Sequence, residues 1–187
     1  SPSAILDCSV SREKRRSAMS VSLYDASVGR FLQSLGAVSG YLDKGRSHCE
    51  ENKIDLNEIV ETRLYPDMLP FRFQIIQVAS HSLSAVKGAL AGEYMPGPAA
   101  EDLDYQGLQD LVAKAESGLR QVSAGAVNGL EGNEVKTPWW TFPAEGFLMS
   151  FSLPSFYFHV TTAYDILRHK GVPVGKMDYL GELQIKT

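Results

Sequence analysis

Two histidines carry most of the chemistry this sequence offers. His81 lies in FRFQIIQVASHSLS and His159 in LPSFYFHVTTAYDILRHKG, both apolar segments rather than charged ones. Imidazole has an ordinary pKa near neutrality, so such a pair suits proton transfer, ligand orientation or metal binding. Ser155 precedes His159 by four residues and Thr162 follows it by three, spacings that place side chains on one helical face. Gln74, Gln77, His81 and Ser84 form a comparable polar stripe on an earlier segment. If the two stripes face each other, they enclose a polar space containing both imidazoles. If they face outward, they are solvated surface, and periodicity does not choose. A hydrogen-bonded core histidine is the competing reading for each.

Tyr157, Trp139 and Trp140 are core or lid residues on one reading. On the other they form a pocket wall suited to a flat, apolar ligand. His48 and His169 read as helix-end residues, and Arg72 and Arg168 as paired or solvated. Neither GxGxxG nor GxxxxGK[ST] occurs, and GxSxG, HExxH and CxxC are absent too. Nucleotide-dependent and triad hydrolase chemistry therefore lack their usual motifs.

The elements that must position these residues are helices. Ser22 is a suitable N-cap with Asp25 three residues on, and Val28, Phe31, Leu32, Leu35, Val38 and Leu42 follow at helical spacing to about His48. Asp55–Glu61 reads as a short capped helix. Pro70 opens a second long helix, Phe71 to about Leu90, whose apolar faces include Phe71, Ile75, Val78 and Ala85. Tyr94 to Asp104 is predicted as loop. Asp104 or a neighbour caps a third helix with Leu108, Leu111, Val112, Ala115, Leu119, Val122 and Ala126 on one face. Between Gly129 and Leu153 the period shortens. We read a hairpin there, with strands in Glu134–Pro138 and Gly146–Leu153 around Phe142-Pro143-Ala-Glu-Gly146. The fourth helix follows from Leu153 and stops before Pro173, and the tail reads as a covering strand or loop. The expected fold is mainly all-α: a four-helix bundle with a short β-hairpin insert before the fourth helix.

The chain of 187 residues suffices for one domain with a substantial core. We expect an N-terminal arm over 1–18, a disordered leader or an addition to the native chain, then a single bundle over 19–181 and a tail over 182–187. Net charge is −4. The arm holds Arg12, Lys14, Arg15 and Arg16 against Asp7 and Glu13, so the body is more acidic than the whole. An acidic body is a poor match for nucleic acid, whose binding rests on cations neutralising phosphates. No apolar run approaches a membrane span. Two cysteines, Cys8 and Cys49, form neither a disulfide framework nor a zinc spacing. No nucleic-acid or membrane partner is expected, and the cytosol is the expected compartment.

The stretches LPSFYFHVTTAYDILRHKGVPVGKMDYLG and PDMLPFRFQIIQVASHS resemble a domain-of-unknown-function family of small helical proteins grouped with the DinB/YfiT-like metalloenzymes. The resemblance spans about Met19 to Gly181. It implies a four-helix bundle in which three histidines hold a metal, one on the second helix and two, four residues apart, on the fourth. Carried onto this chain, His81 matches the second-helix ligand. His159 matches the later fourth-helix ligand, in register with Leu167-Arg168-x-x-Gly171, and the earlier one falls on Ser155. A serine hydroxyl is a poor zinc or nickel ligand beside imidazole.

The leading expectation is a small-molecule enzyme or ligand-binding protein with a pocket between the second and fourth helices. His81 and His159 would transfer protons near neutral pH or orient the ligand, in an isomerase-, cyclase- or transferase-like role. Ser155 would supply a hydroxyl, and Gln77, Tyr157, Thr162, Trp139 and Trp140 would contact the ligand. One alternative is a metal-dependent hydrolase or transferase with a reduced site, in which His81 and His159 hold zinc or nickel. Another is a non-catalytic module that forms a homodimer through its aromatic hairpin.

Overall fold

The computed structural model describes residues 21–97 and 102–186, so the arm expected over 1–18 and Cys8 lie outside the described residues. Helix α1 (Leu23–Ala26) is capped by Ser22, whose hydroxyl accepts from the Asp25 N–H, as its spacing suggested. The chain then hitches at Ser27 before α2 (Val28–Asn52), so the first helix is two helices. The longer one ends at Lys53, which turns left-handed at φ 58° and returns its N–H to Cys49 and Glu50. Helix α3 (Leu56–Glu61) is capped by Asp55 through the Asn57 N–H.

Helix α4 (Phe71–Ala79) runs through a π-helical turn, Ser80–Ser84, into α5 (Ala85–Ala91). In the widened turn, the Ser82 hydroxyl donates to the Val78 and Ala79 carbonyls, supplying acceptors that a π turn engages less well with a donor. The extra residue also shifts which sequence positions fall on each face beyond it. Gln74, Gln77 and His81 are buried, while Ser84, expected in the same stripe, faces solvent.

Helix α6 (Tyr105–Arg120) begins at Asp104, whose carboxylate accepts from the Gly107 N–H. It ends six residues before Ala126. Helix α7 (Ala124–Asn128) has its own cap, Ser123, and buries Val127 while Ala126 is exposed. The segment after α5 is also better built than a loop. Tyr94 is fully buried, and its N–H donates to the Lys136 carbonyl beside a parallel bridge between Glu93 and Lys136.

The hairpin exists, with different strands. Strand β1 (Glu134–Lys136) pairs antiparallel with β2 (Thr141–Pro143), Val135 opposite Phe142, and the turn holds Thr137 to Trp140. The Thr137 hydroxyl accepts from the N–H groups of Trp139 and Trp140, and Pro138 sits where no N–H is needed for the ladder. The stretch expected as the second strand is instead helical: α8 (Ala144–Gly146), a second π turn Phe147–Ser152, then α9 (Leu153–His169). Pro154 explains the π turn. Inside a regular helix its ring would collide with the Ser150 carbonyl and leave it without a donor, and a widened turn relieves both problems. The tail forms a helix, α10 (Lys176–Leu180), rather than a strand or loop, and it packs on α2 with Lys44 paired to Asp178 at 2.7 Å.

Helix α4 packs on α6 and α9, and α2 packs on the same two, so α2 and α4 face each other diagonally across a four-helix ring. Phe31 and Phe156 meet edge to face in the middle at 4.9 Å between ring centroids, both without solvent exposure. Burial of each such ring is worth roughly 1.5–3 kcal/mol, so the interior rather than helix propensity holds α2 against α9. Among the described residues, no helix is long and apolar enough to cross a membrane.

Candidate functional site

The two polar stripes face each other. The imidazoles of His81, in the first π turn, and His159, on α9, lie nearly parallel at 12°, with centroids 5.7 Å apart. Neither ring has a charged partner among the described residues. Gln74, 2 % exposed, holds His159: its Oε1 lies 2.8 Å from His159 Nδ1, and its Nε2 donates to the Leu69 carbonyl at 2.8 Å. The second bond fixes which end of the amide faces the ring. With an oxygen facing it, Nδ1 carries the proton, and His159 Nε2 is left with its lone pair.

His81 is held differently. Its carbonyl accepts from the Ser152 hydroxyl at 2.6 Å, a fully buried bond that ties one π turn to the other. Its ring packs at right angles to Phe151 at 5.5 Å and tilted to Tyr94 at 6.2 Å. Its Nδ1 is buried without any hydrogen-bond partner. Burial pushes the His81 pKa down to about 4. Burial, and to a lesser extent the neighbouring His81, does the same to His159, also to about 4. Two rings this close cannot both take a proton cheaply, and neither has a carboxylate to offset the charge. Both are neutral at pH 7. A base of pKa near 4 is a weak one at pH 7, so this environment suits ligand orientation better than a proton shuttle titrating near neutrality.

The other expected residues disperse. Ser155 is half-buried one turn before His159 and makes no hydrogen bond to either imidazole. Gln77 is buried one turn before His81, again with no bond to the rings. The Thr162 hydroxyl donates to the Phe158 carbonyl at 2.8 Å, within its own helix. Tyr157 and Thr162 together border a separate open concavity of about 500 Å³, with Leu64, Met68, Pro154 and Phe158 among its lining. Further concavities of about 620 and 220 Å³ lie elsewhere, and neither histidine lines any of the three. Trp139 and Trp140 are 59 % and 60 % exposed at the hairpin turn. They reach the pair only through a relay of rings, Trp140 to Phe142 at 6.2 Å and Phe142 to Phe151 at 5.7 Å.

Sequence reasoning missed Ser152 and Phe151 because it assigned them to a strand. It saw Gln74 in the polar stripe without a role for it. A glutamine flanked by apolar residues at helical spacing from a histidine was the available signal.

A family described as a domain of unknown function, DUF1993, matches residues 23–180, nearly the whole described body. The chain belongs to this family. No curated protein matches it. The DUF1993 chain is also similar to a crystal structure of a DinB family member from Shewanella denitrificans. The two share 27% identity with a TM-score of 0.78, covering 88% of this chain and 95% of that one. The DinB-like bundle expected from the sequence is thereby established.

A metal was the cofactor that the DinB resemblance implied, and the donor set of this DUF1993 chain does not fit a three-ligand site. No three of His, Cys, Asp and Glu cluster suitably among the described residues. His159 has the outer hydrogen bond that orients a metal-ligating imidazole, through Gln74, but His81 Nδ1 has none. Ser155, at the third position, brings a hydroxyl that is a poor ligand for zinc or nickel.

Proposed function

We propose that the protein binds a small molecule at the paired imidazoles, with His159 facing the ligand and His81 behind it. The observation supporting this is the parallel pair itself, with one ring locked by Gln74 into the tautomer that leaves Nε2 free to accept. Such a nitrogen accepts a hydrogen bond from a bound donor and orients it. It takes the proton itself only from a donor made acidic by binding, so ligand orientation is favoured over proton transfer. Ser155, on the same face of α9, is the hydroxyl proposed to assist, and the cytosol remains the proposed compartment.

The test is a thermal-shift and calorimetric screen of small molecules against the parent, His81→Ala and His159→Ala. A ligand that stabilises the parent should lose its effect in both variants while each stays folded. Unchanged binding in both would remove the proposal. Self-association through the hairpin is a second reading, supported by the exposed pair Trp139 and Trp140, whose rings lie 6.1 Å apart.

A further inference from the structure

Resting on the reading of the imidazole pair as a ligand site, we infer the class of ligand: a neutral, planar molecule carrying an N–H or O–H donor, such as a phenol or an indole. Three features of the site point the same way. The first is polarity of the acceptor. The Gln74 carbonyl oxygen accepts from His159 Nδ1–H, so the ring offers Nε2 only as an acceptor, and a ligand must bring the hydrogen.

The second is an orphaned atom. His81 is 8 % exposed, and its Nδ1 is the buried side-chain polar atom among the described residues that finds no partner. Native interiors rarely leave such a group unmatched, and functional sites are one of the places where they do.

The third is the wall. Phe73 stands edge-on to His159 at 5.8 Å and Phe158 at 5.1 Å, while Phe151 stands edge-on to His81 at 5.5 Å. His159 is the less buried ring, and Phe158 beside it is 57 % exposed, so access is on that side. Rings arranged in this way suit a flat apolar body.

Charge is what the site lacks. Among the described residues no Lys, Arg, Asp or Glu hydrogen-bonds to either imidazole, and Arg72, on α4, is already engaged by Glu61 at 3.0 Å and Asp102 at 2.7 Å. A carboxylate or ammonium ion entering here would lose hydration and find no counter-charge, which selects against both.

The experiment records imidazole ¹⁵N and ¹H resonances of the whole protein at pH 7.5. Phenol, indole, toluene, benzoate and benzylammonium are added separately at equal millimolar concentration. Phenol or indole is expected to shift the His159 resonances saturably. Toluene should bind about tenfold more weakly for want of the hydrogen bond, and the two ions should leave the resonances in place. If benzoate or benzylammonium shifts His159 as strongly as phenol, or toluene binds as tightly, the ligand class is wrong while the pair remains a binding site. If none of the five moves either imidazole, the inference falls together with the reading it rests on.

Discussion

Acidification should unfold this protein through its two inward histidines before its carboxylates are involved. Both imidazoles are held near pKa 4 in the fold, against about 6.5 for a free histidine. The unfolded chain therefore binds more protons than the native one between those values. Stability is complete above about pH 6.5 and falls as pH drops toward 4. For one such group the loss at pH 5 is about 2 kcal/mol, so the pair forfeits about 4 kcal/mol, with a slope approaching 2.7 kcal/mol per pH unit. Carboxylates held low in the fold act lower on the scale: Asp178 by its hydrogen bond from Lys44, and Glu145 by the Gly132 N–H. Urea unfolding followed by circular dichroism at half-unit steps from pH 8 to pH 4.5 measures the effect, and imidazole NMR titration reads the two pKa values directly. Replacing His81 with phenylalanine should remove about half of the dependence. A flat stability between pH 7 and 5, or imidazoles titrating near 6.5, would refute the burial reasoning.

Ser152→Ala removes a fully buried donor from the His81 carbonyl and should cost about 1–3 kcal/mol in urea unfolding, with a change in the His81 resonances. Gln74→Glu puts a carboxylate against His159 Nδ1 and should raise that pKa by a unit or more in the NMR titration, whereas Gln74→Leu should not. Gly88→Ala sets a methyl 2.9 Å from the Glu93 carbonyl oxygen and 2.9 Å from Tyr94 Cβ; about 1–3 kcal/mol of destabilisation is expected on thermal melting. Protein purified without a histidine tag should carry zinc and nickel far below stoichiometry by elemental analysis, and one metal per chain would reverse the donor-set argument. Light scattering of a Trp139→Ser, Trp140→Ser variant tests the hairpin: a dimer in the parent and a monomer in the variant is the outcome that reading expects.

Much of the bundle was legible because burial repeats every three or four residues in α2, α6 and α9, and because Ser22, Asp55 and Asp104 cap where their types suggest. The hairpin register was not. In FLMSFSL, large and small residues nearly alternate, which mimics a strand, although Phe147, Leu148 and Ser152 are buried together on a π turn. Periodicity assumes a constant turn, and two widened turns break that assumption at the residues around the site. The same break explains why Ser84 was grouped with His81 although it faces solvent. The facing of the histidines was legible only as one of two options, since the choice depends on how α4 and α9 rotate against each other. Their depressed pKa values lay beyond reach, because burial decides them and sequence does not state it.

A π turn is a helix carrying one residue beyond what an α-helix would use, so an imidazole set inside one hangs on chain length as well as on side-chain identity. Deleting one residue from 82–84 would let that helix close up as an ordinary one: the segments on either side keep their register, while the residues inside the turn, His81 among them, are re-aimed. The helices around the rings would stay in place, yet His81 would no longer look at His159. The pairing is in this sense spelled by counting, and a lesion of three nucleotides undoes it more thoroughly than most substitutions would.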